Sequence, residues 1–475
     1  MGLDAPRLEE IASSPFGRPR NDKNITQSLS ISYGTTTITL ALVDYTPTSA
    51  LASVAEVTER WEVHVTGASK ALLQAAIHEI ERAFELARQH QANSFLDRVF
   101  LNFQPGGYEE SYRSQILDGK IDFYDETLKW AWANAGFDVR LTITRRNFWE
   151  GAEAEIPLSN SNGERVIEDL LWVYNCADGD GVSPNVRENW ADIDADDLEG
   201  DLPAPIKLTM VTSGTIGDII EDVIVCLARS GDPATLKHMA EAEAGGGKSS
   251  GSKIVDFGDD PDCSGGEYAI IEWDEVSVPV IGIGYYSGTG WPDLEIGRWY
   301  LPLLRLRTVP TIADLWTRVR MVYGLISETA WISYPASGGP QVIQYPPIRL
   351  GLPRWEAGDY DVDVEFLTST GGTKTIEADY MYLLPLDGVR QYEVSLEAIY
   401  EEPFVGWLRD DPYEGLVYKY ENHTTTRSLV LARGNPLMVD PRHDARLYFM
   451  TPGATAAIDS RMDFNAFYRP RRLAL

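Results

Sequence analysis

An apolar residue alternates with an acidic one throughout the stretch Tyr360-Asp-Val-Asp-Val-Glu-Phe366. Successive side chains of a β-strand point to opposite faces of its sheet, so this period of two predicts a half-buried strand. Tyr392, Val394 and Leu396 repeat the same pattern further along the chain. We therefore predict a fold that is mainly β.

Two similar runs lie towards the N-terminus. Leu29, Ile31 and Tyr33 alternate with polar residues, and Gly34 then separates them from a second alternating run. The apolar positions of that second run are Ile38, Leu40 and Leu42. Two period-two runs joined at a glycine predict a β-hairpin.

The period changes from two to about 3.6 between residues 69 and 88, where an amphipathic helix is predicted. Either Ser69 or Thr66 provides a suitable N-cap, because a short side-chain oxygen can accept a free backbone N–H of the first turn. The apolar stripe of this helix consists of Leu73, Ala76, Ile77, Ile80, Phe84 and Ala87.

The order of these patterns predicts several domains. We expect a polar N-terminal arm over 1–27, a β-sandwich or small barrel with the helix over 28–160, and an acidic loop or linker over 161–200. Many short strands without intervening helices predict a jelly-roll-like β-sandwich over 201–400. Residues 401–475 carry further strands, which either complete that sandwich or form a small module.

The chain is strongly acidic. Its 475 residues include 72 Asp and Glu against 41 Lys and Arg, which gives a net charge of −31 at pH 7. Such a charge repels phosphate, so nucleic acid and anionic membranes are poor partners for most of the surface. It also favours solubility.

Cysteine usage and hydropathy bear on the compartment. Cys176, Cys226 and Cys263 are widely spaced and form no CxxC pair, which argues against a disulfide framework or a zinc module. The first residues lack the apolar core of a signal peptide, and no stretch has about 18 consecutive apolar residues. We therefore expect production in a reducing cytoplasm and no membrane span.

Two motifs suggest ligands but are incomplete. Gly247-Lys-Ser249 resembles the end of a phosphate-binding loop, yet Ala242 occupies the position of its first glycine, so a flexible loop is favoured. The acidic run 192–197 resembles the first half of an EF-hand, but Asp197 and Pro203 stand where glycine and a bidentate glutamate are needed. A looser calcium site at Asp192, Asp194, Asp196 and Asp197 stays open.

No catalytic pattern is recognisable. The histidines form no HxH or HExxH pair, there is no GxSxG elbow, and no pair of acids for glycoside hydrolysis can be singled out among 72 carboxylates. The histidines are His64, His78, His90, His238, His423 and His443. We predict no enzyme and assign no catalytic, cofactor-binding or metal-binding residue. A hydrolase of cell-wall polysaccharide is a third alternative without an assigned residue.

Five tryptophans fall within the predicted sandwich and permit two interpretations. Most tryptophans of a β-sandwich fill its core, which is the interpretation we favour, whereas exposed rings can stack on sugars. These residues are Trp291, Trp299, Trp316, Trp331 and Trp355.

Three parts of the chain resemble minor tail proteins of long-tailed phages and prophages. The stretch Gly200-Asp-Leu-Pro-Ala-Pro-Ile-Lys-Leu-Thr-Met210 is similar to the strand that opens their jelly-roll module. The ending, from Gly434-Asn-Pro-Leu-Met-Val through Asp444-Ala-Arg-Leu-Tyr-Phe-Met450 to Phe467-Tyr-Arg-Pro-Arg-Arg472, looks like their closing strands. Arg113-Ser-Gln through Phe148-Trp-Glu150 resembles their N-terminal tail domain.

This resemblance implies a structural component of a virion tail, a minor or distal tail protein assembled in the host cytoplasm. It implies other tail proteins and further copies in a ring as partners, and it offers no catalytic residues. The N-terminal arm and the basic end at Arg469, Arg471 and Arg472 are expected to contact neighbours. The alternative is a carbohydrate-binding β-sandwich protein that recognises a cell-surface glycan.

Overall fold

The structure, a computed structural model, describes most of the chain after the N-terminal segment. The described residues are 28–53, 55–66, 69–94, 96–105, 109–123, 136–159, 165–166, 171–174, 189–213, 219–229, 239–242, 252–259, 263, 267–286, 294–295, 297–308, 314–323, 325–334, 341–351, 361–397, 408–420, 427–452 and 461–473. The predicted arm over 1–27 lies outside them.

The chain forms two compact units. The N-terminal unit comprises Met1–Ala154 together with the short segments Glu199–Leu202 and Arg469–Leu475. The larger unit comprises Glu155–Leu198 and Pro203–Tyr468. The segment predicted as a linker over 161–200 is therefore largely part of the larger unit.

Six of the described strands of the N-terminal unit close into an antiparallel barrel. The elements up to residue 150 are β1 (Ser28–Tyr33), β2 (Thr36–Ser53), β3 (Glu56–Thr66), α1 (Lys70–Ala92), β4 (Val99–Gln104), β5 (Tyr112–Asp122), β6 (Gly136–Arg146) and β7 (Trp149–Glu150). Around the barrel the order is β1-β2-β3-β6-β5-β4, and β4 pairs again with β1. The hairpin expected at residues 29–42 is confirmed as β1 and β2.

Alternate residues of these strands fill one core, as the period of two requires. The buried positions include Leu29 and Ile31 of β1, Trp61 and Val63 of β3, and Leu141 of β6. The same core includes the buried face of α1, so the helix and the barrel share their apolar interior.

The predicted helix is confirmed and is four residues longer at its C-terminal end than expected. The Ser69 side chain accepts the Leu72 N–H at 3.3 Å, which makes Ser69 the N-cap. Beyond the last apolar residue, Arg88 holds the helix to β5 by donating to Asp118 at 2.8 Å. Phe84 packs against Gly119 of β5, where an added Cβ would lie 2.3 Å from the ring. Within the described residues α1 is the one α-helix.

The larger unit begins with short strands in the segment that was predicted to be a loop. The strands are β8 (Ala154–Glu155), β9 (Leu158–Ser159), β10 (Arg165–Val166), β11 (Leu171–Tyr174), β12 (Trp190–Ile193), β13 (Ala204–Pro205), β14 (Lys207–Ser213) and β15 (Ile219–Arg229). Three of them, β10 to β12, fall within 161–200. Strand β10 pairs with its neighbour β9, whereas β11 and β12 pair with residues 461–464 and 445–448. Residues 223–228 of β15 are buried.

A second group of strands occupies the middle of the unit. The strands are β16 (Met239–Glu241), β17 (Ser252–Asp259), β18 (Glu267–Trp273), β19 (Val280–Tyr286), β20 (Trp299–Thr308), β21 (Leu315–Tyr323), β22 (Leu325–Glu328), β23 (Ile332–Tyr334), β24 (Gln341–Gln344), β25 (Ile348–Arg349), β26 (Asp361–Leu367) and β27 (Lys374–Pro385). Strand β26 contains most of the stretch 360–366, in which apolar and acidic residues alternate.

The remaining strands return to the first group. They are β28 (Val389–Glu397), β29 (Leu408–Asp411), β30 (Leu416–Tyr420), β31 (Arg427–Leu429), β32 (Leu431–Arg433), β33 (Met438–Val439), β34 (Ala445–Met450), β35 (Arg461–Tyr468) and β36 (Arg471–Arg472). The last of these, β36, belongs to the N-terminal unit and pairs with β7.

The larger unit contains four principal sheets. Sheet A has the strand order β10-β9-β12-β34-β15-β28-β32, and sheet B has the order β11-β35-β14-β29-β30-β31. Sheet C has the order β17-β18-β27-β20-β24, and sheet D has the order β19-β26-β21-β22, with β23 paired to β21. Because β15 and β28 are neighbours in sheet A, strands β16–β27 form an insertion between them.

Sheets A, C and D pack face to face around two described cores. Sheets C and D enclose a core that includes Ile271, Leu304, Val319 and Val364. The opposite face of sheet C packs on sheet A through a second cluster that includes Cys226. The mainly β class with a sandwich is confirmed, but the stretch 201–400 contributes strands to all four sheets, and strands after residue 401 complete sheets A and B.

Candidate interaction sites

Some of the candidate ligand residues of the sequence lie outside the described part of the chain. Gly247-Lys-Ser249 and Cys176 lie outside the described residues. Cys226 and Cys263 are buried free thiols. Burial raises the pKa of the Cys226 thiol, which keeps it protonated and unreactive at neutral pH.

The acidic run at 192–197 is engaged within the protein. Asp192 accepts two hydrogen bonds from Arg446, at 2.6 and 2.9 Å, and the guanidinium of Arg446 lies 3.5 Å from the centre of the Trp190 ring. Asp194 caps a 3-10 turn by accepting the Asp196 N–H at 2.9 Å. Among the described side chains no group of three or more His, Cys, Asp or Glu is arranged to hold a metal.

The basic end of the chain is occupied within the N-terminal unit. Arg471 donates to Glu150 at 3.1 Å, Arg472 donates to Glu199 at 2.7 Å, and Arg469 donates to the carbonyl of Gly151 at 3.2 Å. These contacts attach β36 to β7. We therefore do not assign these arginines the expected role in contacts with neighbouring subunits.

The interpretation of the sandwich tryptophans as core residues is wrong for two of those that the structure describes. Trp299 is 49% exposed as the first residue of β20, and Trp316 is 42% exposed because it lies on the face of β21 opposite the buried Leu315 and Val319. Trp331 is half-buried, with the Arg318 guanidinium 4.6 Å from the centre of one of its rings. Trp291 and Trp355 lie outside the described residues.

Three exposed leucines lie at one margin of sheets A and B. Strand β31 is the last described strand of sheet B and β32 the last of sheet A, so each has a neighbour on one side in the described structure. Leu429 of β31 is 78% exposed, Leu431 of β32 is 58% exposed, and Leu416 of β30 is 42% exposed. We call Leu416, Leu429 and Leu431 with their strands the leucine edge.

Hydrogen bonds connect the leucine edge and the strands beside it to the rest of sheets A and B. The Val430 N–H between the two strands donates to the Val417 carbonyl at 3.0 Å. Beneath β32, Tyr392 of sheet A donates to Asp410 of sheet B at 2.7 Å, and Arg390 donates to the same carboxylate at 2.8 Å. Burial, followed by the charge of Asp410, raises the pKa of Tyr392, so its proton stays in this bridge.

The outer face of sheet D carries a second set of exposed groups. Arg318 donates to Glu365 and to Glu328, each at 2.6 Å, and Arg320 lies 3.5 Å from Glu365. The register places Arg320 between Glu328 and Asp363. Asp363 and Glu365 are almost completely buried although they belong to the outer face, because neighbouring side chains cover them. We call this set the charged ladder.

A hydrogen-bonded turn borders the ladder. Asp314 immediately precedes β21 and accepts hydrogen bonds from the Ser369 N–H at 2.7 Å, from Thr368 at 2.9 Å and from Thr370 at 3.1 Å. These bonds, led by one from the Ser369 hydroxyl, lower the pKa of Asp314 to about 2. The carboxylate therefore stays charged at neutral pH and ties the start of β21 to the end of β26.

Comparisons with known proteins give little further guidance. No protein-family model matches the chain, and no curated sequence is similar to it. Among solved structures, an exo-beta-1,3-galactanase from Phanerochaete chrysosporium with galactose matches at 12% identity, covering 71% of this chain and 84% of the enzyme, with a TM-score of 0.20. A variant of that enzyme with beta-1,3-galactotriose matches at 11% identity, covering 75% and 95%, with a TM-score of 0.18. Values this low carry no argument about function.

The sequence patterns predict neither the leucine edge nor the charged ladder. Leu429 and Leu431 alternate with Ser428, Val430 and Ala432, a weak period-two signal within a short run. The acids of the ladder were visible in the alternating stretch, but their arginine partners lie on another strand.

No described helix has the length and apolarity needed to cross a bilayer.

Proposed function

We propose that the chain is a structural component of a phage virion tail, a minor or distal tail protein that acts by assembling with other subunits and not by catalysis. The leucine edge is the observation that carries the assembly part of this proposal. The placement in a tail rests on the resemblance of the stretches around residues 113–150, 200–210 and 434–472 to minor tail proteins.

The leucine edge has the properties of an association surface. A strand at a sheet margin offers backbone N–H and C=O groups that another chain can pair with. Natural edge strands often carry charges or prolines that hinder such pairing. Here each short strand has one arginine, Arg427 or Arg433, at one end and an exposed leucine, Leu429 or Leu431, at the other. Burying one leucine side chain stabilises a contact by about 1.5–3 kcal/mol.

A second copy of this chain is the occupant that we assign to the leucine edge. The chain has a net charge of −31, so two copies repel each other over most of their surfaces. Arg427 and Arg433 flank the exposed leucines, and Arg433 is paired with Glu393, so Arg427 reduces the negative charge at this margin. Contact between copies in a ring is therefore less opposed there, and a subunit made in the host cytoplasm would join the tail through this edge.

The oligomeric state of the purified full chain tests this proposal. We expect light scattering behind a sizing column, together with negative-stain imaging, to show a closed ring or addition to tail-like tubes. Replacing both Leu429 and Leu431 with Asp should weaken association by at least about tenfold, because apolar burial is lost and like charges are added.

Leu72→Asp is the matched control. Leu72 is 56% exposed on α1 and Leu431 is 58% exposed, so Leu72→Asp matches the single substitution Leu431→Asp in exposure and in the one charge that it adds, at a residue that is not part of the leucine edge. A chain that stays monomeric at its highest soluble concentration, with and without purified tail proteins, contradicts the proposal. Association that the edge substitutions and the Leu72 control weaken equally contradicts the assignment of the leucine edge.

A further inference from the structure

We propose that the outer face of sheet D binds a neutral oligosaccharide, with Trp316 as the ring on which a sugar stacks and the charged ladder as its source of hydrogen bonds. This inference is independent of the leucine edge and of self-association. It assigns a ligand class and a location to a face that the fold leaves open among the described elements.

The strand register brings the aromatic and polar groups together. Residues directly opposite each other on antiparallel strands point to the same face of a sheet. Trp316 lies opposite Ser333 on one side and opposite Leu367 on the other. Arg318 is the next residue of β21 on this face, and its guanidinium contacts the Trp331 ring. Both tryptophans therefore lie on the outer face, beside the charged ladder.

The inner face of the same sheet is already used. Leu315, Val319 and Met321 of β21 alternate with the outer residues and are completely or almost completely buried against sheet C. Trp316 cannot turn into that core without exchanging the two faces of the strand, since a one-residue shift moves every side chain to the opposite face. Its 42% exposure is thus imposed by the fold.

An exposed indole beside polar groups suits a sugar ring. A pyranose has a face of C–H groups, which packs on the electron-rich face of an aromatic ring, while its hydroxyls point outwards around the edge. Arg318 covers a face of Trp331, so Trp331 serves as a wall that orients the guanidinium, and Trp316 is the free platform.

The charged ladder can supply partners for sugar hydroxyls. A hydroxyl both donates and accepts, and the ladder alternates donors with acceptors at Arg318, Glu328 and Arg320. Rigid, mutually paired side chains provide these groups without further ordering, which reduces the entropy cost of binding.

The charge of the face selects the class of sugar. Two arginines, Arg318 and Arg320, stand against four acids on the same rows of the sheet. The acids are Asp361, Asp363, Glu365 and Glu328. A local excess of negative charge on a chain of net charge −31 disfavours sialylated, sulfated or phosphorylated glycans. A neutral oligosaccharide has no such penalty.

A glycan array followed by calorimetry tests the inference on the purified full chain. The array carries neutral glucans, galactans and mannans, with sialylated and sulfated glycans as the anionic set. We expect binding to at least one neutral glycan. Trp316→Ala should weaken that binding by at least about tenfold, the factor that corresponds to losing one favourable stacking contact.

Two further variants separate stacking from a general loss of structure. Trp316→Phe keeps an aromatic platform and should retain most of the affinity. Trp299→Ala removes a tryptophan of similar exposure, 49%, that lies on sheet C, and should leave the affinity unchanged within twofold. Absence of binding to every neutral glycan, binding to anionic glycans alone, or equal effects of Trp316→Ala and Trp299→Ala would each overturn the inference.

Discussion

Phe84 and Gly119 show how one position without a side chain fixes a helix on a barrel. The Phe84 ring occupies the space next to Gly119, and an added Cβ there would lie 2.3 Å from a ring carbon. We expect Gly119→Ala to lower the free energy of unfolding by about 1–3 kcal/mol, the usual cost of overpacking a core. Urea denaturation followed by circular dichroism measures the change.

Gly371→Ala provides the comparison for this substitution. No atom lies within 4 Å of the position that its Cβ would take, so the methyl group meets open space. The same exchange there should leave stability unchanged or raise it slightly, because alanine restricts the unfolded chain. Equal losses at both glycines would show that steric contact with Phe84 is not the cause.

At the scale of elements, a buried ion pair ties neighbouring strands of the barrel. Arg145 of β6 donates to both carboxylate oxygens of Glu59 on β3, at 2.6 and 2.7 Å, and its guanidinium lies 4.2 Å from the centre of the Trp149 ring. Glu59→Gln leaves a buried, uncompensated cation. It should lower the free energy of unfolding by about 3–5 kcal/mol, measured by thermal and urea denaturation.

An exposed ion pair on the same two strands is the control. Arg140 donates to Glu62 at 2.9 Å, and both side chains are about one third exposed. Glu62→Gln should cost no more than about 1 kcal/mol, since solvent screens an exposed pair. If both substitutions had the same small effect, burial would not be what makes the Glu59 pair important.

Individual helices and strands also differ in whether the sequence could predict them. The helix was predictable because burying one face of a helix produces a period of 3.6. Strand β26 was predictable because apolar residues occupy one of its faces and acidic residues the other, although both faces are buried. The strand β11 was missed because its short apolar run, 171–174, lies between segments rich in Asn, Asp and Gly. Its partner β35 is nearly 300 positions away, and no local pattern encodes such a pairing.

The candidate sites were predictable to a smaller extent. The sequence identified Trp316 as one of five candidates but could not tell which rings were exposed, because exposure depends on the register of β21 against β23 and β26. The leucine edge includes two strands, β31 and β32, that have no further described neighbour on one side. That property belongs to whole sheets, and it follows from the order in which distant strands pair.

For the molecule as a whole, charge should control association. The net charge of −31 repels a second copy over a distance set by the Debye length, which is about 30 Å at 0.01 M salt and about 8 Å at 0.15 M. The contacts that we propose at the leucine edge would be short and largely apolar, so salt would screen the repulsion more than the contact. We expect association to strengthen as salt rises, measured by sedimentation velocity.

Weaker association at higher salt would contradict this expectation. It would show that attraction between charged groups, and not the burial of Leu429 and Leu431, holds the subunits together. The Leu72→Asp variant should follow the salt dependence of the unaltered chain, because it leaves the leucine edge intact.

The pairing of β36 with β7 has a consequence for synthesis on the ribosome. Arg471 reaches back across 321 positions to Glu150. At about 5–20 residues per second, the ribosome needs roughly 15–60 s to make the intervening chain, so the sheet that contains β7 waits that long for its outermost strand. A messenger RNA truncated before codon 471 would yield a chain whose N-terminal unit lacks β36. The N-terminal unit can therefore be complete only after the entire larger unit has been translated.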